Sequence, residues 1–320
     1  MFRAPITQKC RVITIICVIA VFALTFTVLR DRARFYPGLH HLNPSAAKDQ
    51  AGPLIPRKIW QIYLQRTTDG PTVTPRELVD TASWLALNQD YAYTLIGSRG
   101  ADEFVDMHYS RSPEIVNTYH ALRNPGLKTD LLRYLLLYLE GGVYTDIDTY
   151  AHKPIDQWVP PEIRSQVRLI VGVEFDRNGG GTWQDIPHYL QFCQWTIAAA
   201  PKHRIFPMMV ERALSSLEEL KEIYRTSLTD LHPTSLEVMN STGPAAWTDM
   251  VFELLQEADP SLESLEDLSG MRQAKLIGDI LVLPIDGFGM NQPHSKSTND
   301  GTIPDNAFLE HHFRGSWRQE

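Results

Sequence analysis

Two carboxylates separated by one residue, Asp146 and Asp148, stand in the stretch GVYTDIDTY (142–150). Side chains alternate along an extended strand, so Tyr144, Asp146, Asp148 and Tyr150 are expected on one face and Val143, Thr145 and Ile147 on the other. The two carboxylates would then lie roughly 6 to 7 Å apart. Like charges held together at the end of a buried strand are unfavourable unless one is protonated or a cation sits with them. Oxygen-rich ligation suits Mg²⁺ or Mn²⁺, ions that keep coordination positions open for substrate phosphates. The other reading of any D-x-D is an ordinary solvated strand end. Glycoside hydrolases also pair carboxylates, but across the scissile bond, and two neighbours on one strand fit a metal better.

The segment before this pair, LKTDLLRYLLLYLE (127–140), is apolar enough to be a buried helix, and Gly141-Gly142 stop it as a C-terminal cap does. Asp130, Arg133 and Tyr134 fall at i, i+3 and i+4, on one helical face. Charges in such a helix need partners. An internal Asp130–Arg133 ion pair and a pair turned toward a ligand both satisfy that need. Glu174 and Asp176, which follow the apolar run RLIVGV, are either acceptor-side carboxylates or loop charges.

These groups need a scaffold, and the pattern predicts one. From IPRKIWQIYL, strand-like and beginning at Ile55, extended and helical periodicities alternate to about Leu283: a helix near 74–87, the strand YAYTLIG, the helix through Arg133, the strands GVYTDID and RLIVGVEF, and the helix PMMVERALSSLEELKEIY. Such alternation predicts one α/β domain, Rossmann-like, with a mostly parallel central sheet, over 55–320. Before it, Val12–Leu29 carries no charge and as a helix would span roughly 27 Å, close to a bilayer's hydrocarbon thickness. The sequence therefore predicts a short cytoplasmic tail (1–11), a transmembrane signal anchor (12–29) and a stem rich in Pro, Gly and Arg (30–54). A net charge of −8 with scattered Lys and Arg gives no footprint for nucleic acid. Only Cys193 lies beyond the anchor, in the apolar context QFCQWTI, which predicts a buried thiol. Phosphate-loop, nucleophile-elbow, H-E-x-x-H and C-x-x-C signatures do not occur.

The pattern formed by Asp130, Arg133, Tyr134, Leu137, Gly141, Gly142, Tyr144, Asp146 and Asp148 resembles that of the DXD-type sugar transferases of glycosyltransferase family 32. VGVEFD, QFCQWTI, STGPAAWTD, ILVLPIDGFG and the terminal HHFRGSW extend the likeness toward the fungal initiation-specific α-1,6-mannosyltransferases. The resemblance implies a nucleotide-sugar-binding domain of the GT-A type and a retaining transfer of mannose from GDP-mannose to a high-mannose N-glycan in α-1,6 linkage. Transfer to inositol-phosphoceramide, or a non-catalytic place in a Golgi mannosyltransferase complex, is the alternative. It also implies Mn²⁺ (or Mg²⁺) as cofactor and a Golgi membrane enzyme with its catalytic domain in the lumen. Carried over by residue, it assigns Asp146 and Asp148 to the metal, diphosphate and ribose, and Asp130, Arg133 and Tyr134 to the donor. Trp60 and Gln61, placed at the end of the first strand, would receive the nucleotide base. The tail would return over the donor, with His312 completing the metal shell and Ser316 and Trp317 covering the diphosphate.

Overall fold

Secondary structure begins at β1 (Lys58–Tyr63) and runs through α1 (Thr81–Leu87), β2 (Ala92–Gly97), α2 (Ser98–Tyr109), α3 (Pro113–Ala121), α4 (Pro125–Glu140) and β3 (Gly142–Thr145). It continues with β4 (Thr149–Ala151), β5 (Leu169–Asp176), β6 (Leu190–Phe192), β7 (Thr196–Ala199), α5 (Ile205–Tyr224), α6 (Ser235–Ser241) and α7 (Pro244–Ala258). The antiparallel pair β8 (Lys275–Ile277) and β9 (Ile280–Leu283), α8 (Ile285–Gly289) and β10 (Leu309–His311) complete the order. The structure is a computed structural model and describes residues 54–64, 78–183 and 185–314. The predicted tail, anchor and all but the last residue of the stem lie outside the described residues, as do Ser316 and Trp317. Among the described residues, no helix is long and apolar enough to cross a membrane.

The main sheet has the order β2-β1-β3-β7-β5-β9-β8, with β6 beside β5. Pairing is parallel for β1 with β2 and β3 and for β5 with β9, and antiparallel where β7 lies between β3 and β5. So β2, β1, β3, β5 and β9 share one direction, and the sheet is mostly parallel, as predicted, with β6, β7 and β8 reversed. The period-two alternation of the strands divides the core. Ile59, Val143, Ile170, Ala198 and Leu281 enter one cluster with Trp84, Trp158 and Phe288. Ile62, Tyr144, Leu169, Ile197 and Val282 enter the other, against the helices of the opposite face.

Helix α4 fixes the position of β3. Pro125 opens it, and Asn124 caps it by accepting from the amides of Gly126 and Leu127. Its apolar residues face neighbours all round, as a buried helix requires. The reversal into β3 takes no loop: Gly141 and Gly142 hold φ of +61° and +95°. A Cβ at Gly141 would stand 2.7 Å from Pro201, and one at Gly142 2.7 Å from the Lys58 carbonyl oxygen. Glycine is therefore required twice over, by dihedral and by space.

Candidate active site

The site forms where β3 ends. The strand stops at Thr145, and Asp146 to Asp148 make a turn rather than continuing it. Three hydrogen bonds impose the turn: the Asp146 amide donates to the Trp195 carbonyl, and the Asp146 carbonyl accepts from the Thr149 hydroxyl and from Gln61 Nε2. The expected spacing along one strand face is thus replaced by convergence around a bend. β10 pairs antiparallel with β4, His311 opposite Thr149, and this register brings His311 to the two carboxylates. Its Nε2 lies 3.1 Å from Asp148 Oδ1 and 3.9 Å from Asp146 Oδ2.

One ligand atom from each of Asp146, Asp148 and His311 can be chosen so that all lie within 4.8 Å of one another. Two carboxylate oxygens and an imidazole nitrogen form a donor set suited to Mn²⁺ and, less closely, to Mg²⁺. His312, the ligand expected from the sequence, is turned away: its Nδ1 lies 3.0 Å from Asp80 Oδ2 and its Nε2 3.1 Å from Glu310 Oε1. The two neighbours exchange places because consecutive side chains of an extended segment point to opposite sides.

Arg133 joins this turn to the helix. One guanidinium nitrogen is 2.9 Å from Asp130 Oδ1 and 3.7 Å from Asp146 Oδ1, and the other donates to the Gln194 carbonyl. The guanidinium carbon lies 4.5 Å from the centroid of the Tyr144 ring, whose hydroxyl donates to Asp146. The internal Asp130–Arg133 pair and the orientation toward the D-x-D turn therefore coexist. Arg133 Nε and His311 Nδ1 are buried with no hydrogen-bond partner among the described residues. The local field divides the acids. Burial pushes Asp130 up to about 6 against the pull of Arg133 and Thr242. Burial likewise raises Asp146, opposed by Arg133 and His311. Burial also acts on Asp148, but the hydrogen bond and charge of His311 and the Arg314 amide outweigh it and hold this carboxyl at about 2.

The other expected residues are placed differently. Trp60 and Gln61 sit in the middle of β1, not at its end. The Trp60 indole donates to the Gly141 carbonyl, and the fully buried Gln61 accepts from Thr81 and Tyr93, so both brace the backbone behind the turn. Tyr134 is buried, stacks on Trp247 and donates to the Thr242 carbonyl. Glu174 and Asp176 are in β5 rather than in a loop, because the apolar run continues through Phe175. Asp176 accepts from Ser269, Gly270 and Asn178, and Glu174 from Gln191. Sequence reasoning gave no role to Asp80, Gln194, Trp195 or Thr242. The last three lie in QFCQWTI and STGPAAWTD, segments noticed for likeness alone, while Asp80, before α1, carried no signal. Cys193 is the buried thiol expected.

A central strand that ends in an Asp-x-Asp turn, faced by an imidazole and a guanidinium, is the arrangement of a DXD-type glycosyltransferase. Residues 75–164 match the family model described as the glycosyltransferase sugar-binding region containing a DXD motif. The chain is 33% identical over 307 residues to the initiation-specific alpha-1,6-mannosyltransferase of Schizosaccharomyces pombe, covering 92% of this chain and 73% of that one. It is 30% identical over 293 residues to the protein of the same name from Candida albicans, covering 85% and 74%. The chain belongs to glycosyltransferase family 32 together with these fungal proteins, and it is a glycosyltransferase. Among solved structures, the PaToxG glycosyltransferase aligns with a TM-score of 0.46 and 16% identity over 65% of this chain and 73% of that one.

Proposed function

We propose that this enzyme transfers mannose from GDP-mannose to a high-mannose N-glycan in α-1,6 linkage with retention of configuration, using Mn²⁺ (or Mg²⁺). The observation that carries this reading is the convergence of Asp146, Asp148 and His311 beside Arg133. The names and extent of the fungal relatives support the choice of sugar and linkage. Asp146, Asp148 and His311 would hold the cation, which when bound neutralises the diphosphate leaving group as a Lewis acid. Arg133, oriented toward the turn by Asp130, the Gln194 carbonyl and the Tyr144 ring, is taken to bind phosphate or sugar oxygens of the donor. Asp130 holds that fork and is taken to accept from a donor-sugar hydroxyl. Ser316 and Trp317 are taken to close over the diphosphate. The apolar run 12–29 is taken as the anchor that keeps the catalytic domain in the Golgi lumen.

The test is incubation of the full chain with GDP-mannose, Mn²⁺ and a high-mannose oligosaccharide, followed by linkage analysis of the product. A single added mannose in 1,6 linkage, lost in EDTA and restored by Mn²⁺, is the expected result. Turnover that survives the chelator, or transfer to inositol-phosphoceramide and not to glycan, would overturn it.

A further inference from the structure

A cleft of about 310 Å³ is lined by Arg177, Trp183, Gln292, Lys296, Ser297 and Asn299 among others. We propose that it is the acceptor-sugar subsite, in which Trp183 stacks on a pyranose face and the Gln292 amide binds neighbouring hydroxyls. The inference rests on the transferase reading above and adds to it the place and chemistry of acceptor recognition.

Three observations carry it. Trp183 is half exposed although it is a large aromatic, and it is held flat by stacking on His294 at 5.3 Å between ring centroids. An exposed ring braced from behind offers its free face to an apolar surface, which a pyranose supplies with its C–H side. Gln292 is 1% exposed, yet neither its amide nitrogen nor its amide oxygen has a hydrogen-bond partner among the described residues. A buried amide with both functions unmet is costly unless something else completes it, and a vicinal diol offers one acceptor and one donor to match. Finally, the cleft is joined to the reaction centre by a train of rings: His294 to Phe313 at 5.8 Å, and Phe313 to His311 at 4.0 Å. Phe313 occupies this link with φ of +48°, a left-handed conformation for a bulky residue.

The cleft is also built in advance of any ligand. Its loop is closed by the Asn291 backbone amide on the Thr298 carbonyl, by the Gln292 backbone N–H on Ser297 Oγ, and by the Thr298 backbone N–H and hydroxyl on the Asp286 carboxylate. The charge of the lining is mixed, with Arg177 and Lys296 beside Asp176, and Arg177 lies over the Tyr189 ring.

Binding of free high-mannose oligosaccharide to the full chain, in the presence of GDP and Mn²⁺, tests the assignment by calorimetry. Trp183→Ala should weaken it about tenfold, Trp183→Phe less, and both should bind GDP as the parent does. Gln292→Met, which removes the unmet amide at nearly constant volume, should also weaken the oligosaccharide while the melting temperature holds or rises. A merely structural glutamine would show the opposite stability change. Parent-like oligosaccharide affinity in Trp183→Ala and Gln292→Met would overturn the subsite, as would binding of inositol phosphate in place of the oligosaccharide. Failure of the parent to bind GDP with Mn²⁺ would overturn the donor reading instead, so the two failures are distinguishable.

Discussion

Asp146 and Asp148 are two positions apart, yet their carboxyl groups sit in opposite fields. Burial raises the first, while His311 and a backbone amide hold the second at about 2. The histidine thus stabilises one anionic ligand of the pair before any cation arrives. This makes the two neighbouring histidines separable by experiment. His311→Ala removes a proposed ligand and should raise the Mn²⁺ concentration for half-maximal transfer by about 10- to 100-fold. His312→Ala should change it little, since that ring is engaged by Asp80 and Glu310. Metal titrations in which the order is reversed would return the ligand role to His312. Arg133 is tested by Lys: an ammonium cannot reach Asp130, the Gln194 carbonyl and the turn together. Arg133→Lys should lose most of kcat with the fold intact by circular dichroism. Turnover near the parent's would leave Arg133 only its internal ion pair.

The junction of α4 and β3 converts these residue properties into a site, and it is also where the sequence was most legible. Apolar spacing, the double glycine and the following aromatic strand predicted helix, reversal and strand in the places where they occur. What escaped the sequence was decided by contacts distant along the chain. The strand ends at Thr145 because Gln61, Thr149 and Trp195 capture the backbone of Asp146. His311 and not His312 faces the acids because β10 takes one particular register on β4, and a slip by one residue would reverse the two. Trp60 and Gln61 lie in mid-strand because β1 continues through Ile62 and Tyr63, which keep the register with β2. The junction itself gives a stringent expectation. Gly141→Ala and Gly142→Ala each combine a disfavoured φ with a contact of 2.7 Å to backbone or to Pro201. Each should destabilise by roughly 1–3 kcal/mol from the dihedral alone and by more once the clash is included. Chemical denaturation of the two variants measures it, and parent-like midpoints would mean that the reversal can be made without glycine.

Across the whole domain, β5 ties the layers together, pairing with β7 on one side and β9 on the other while its side chains enter both core clusters. That central position carries Glu174 into the interior, 5% exposed, where it accepts a hydrogen bond from the Gln191 side chain. Burial pushes its carboxyl up to about 8, only partly offset by the Gln191 amide. In the unfolded chain the group returns to its ordinary value of 4.5. Between these two values the native state holds a proton that the unfolded chain has released, so stability falls as pH rises through the window and levels off above about 8. The slope contributed by one such group is at most about 1.4 kcal/mol per pH unit. Glu174→Gln keeps the shape and abolishes the ionisation. The variant should therefore melt at a higher temperature than the parent at pH 8, and the difference should shrink steadily toward pH 5. This outcome separates the two roles open to Glu174. A neutral structural carboxyl predicts a gain in stability with transfer largely retained at pH 6 to 7. An ionised acceptor-side group predicts that transfer is lost while the melting curves of variant and parent stay superimposed across the same pH range.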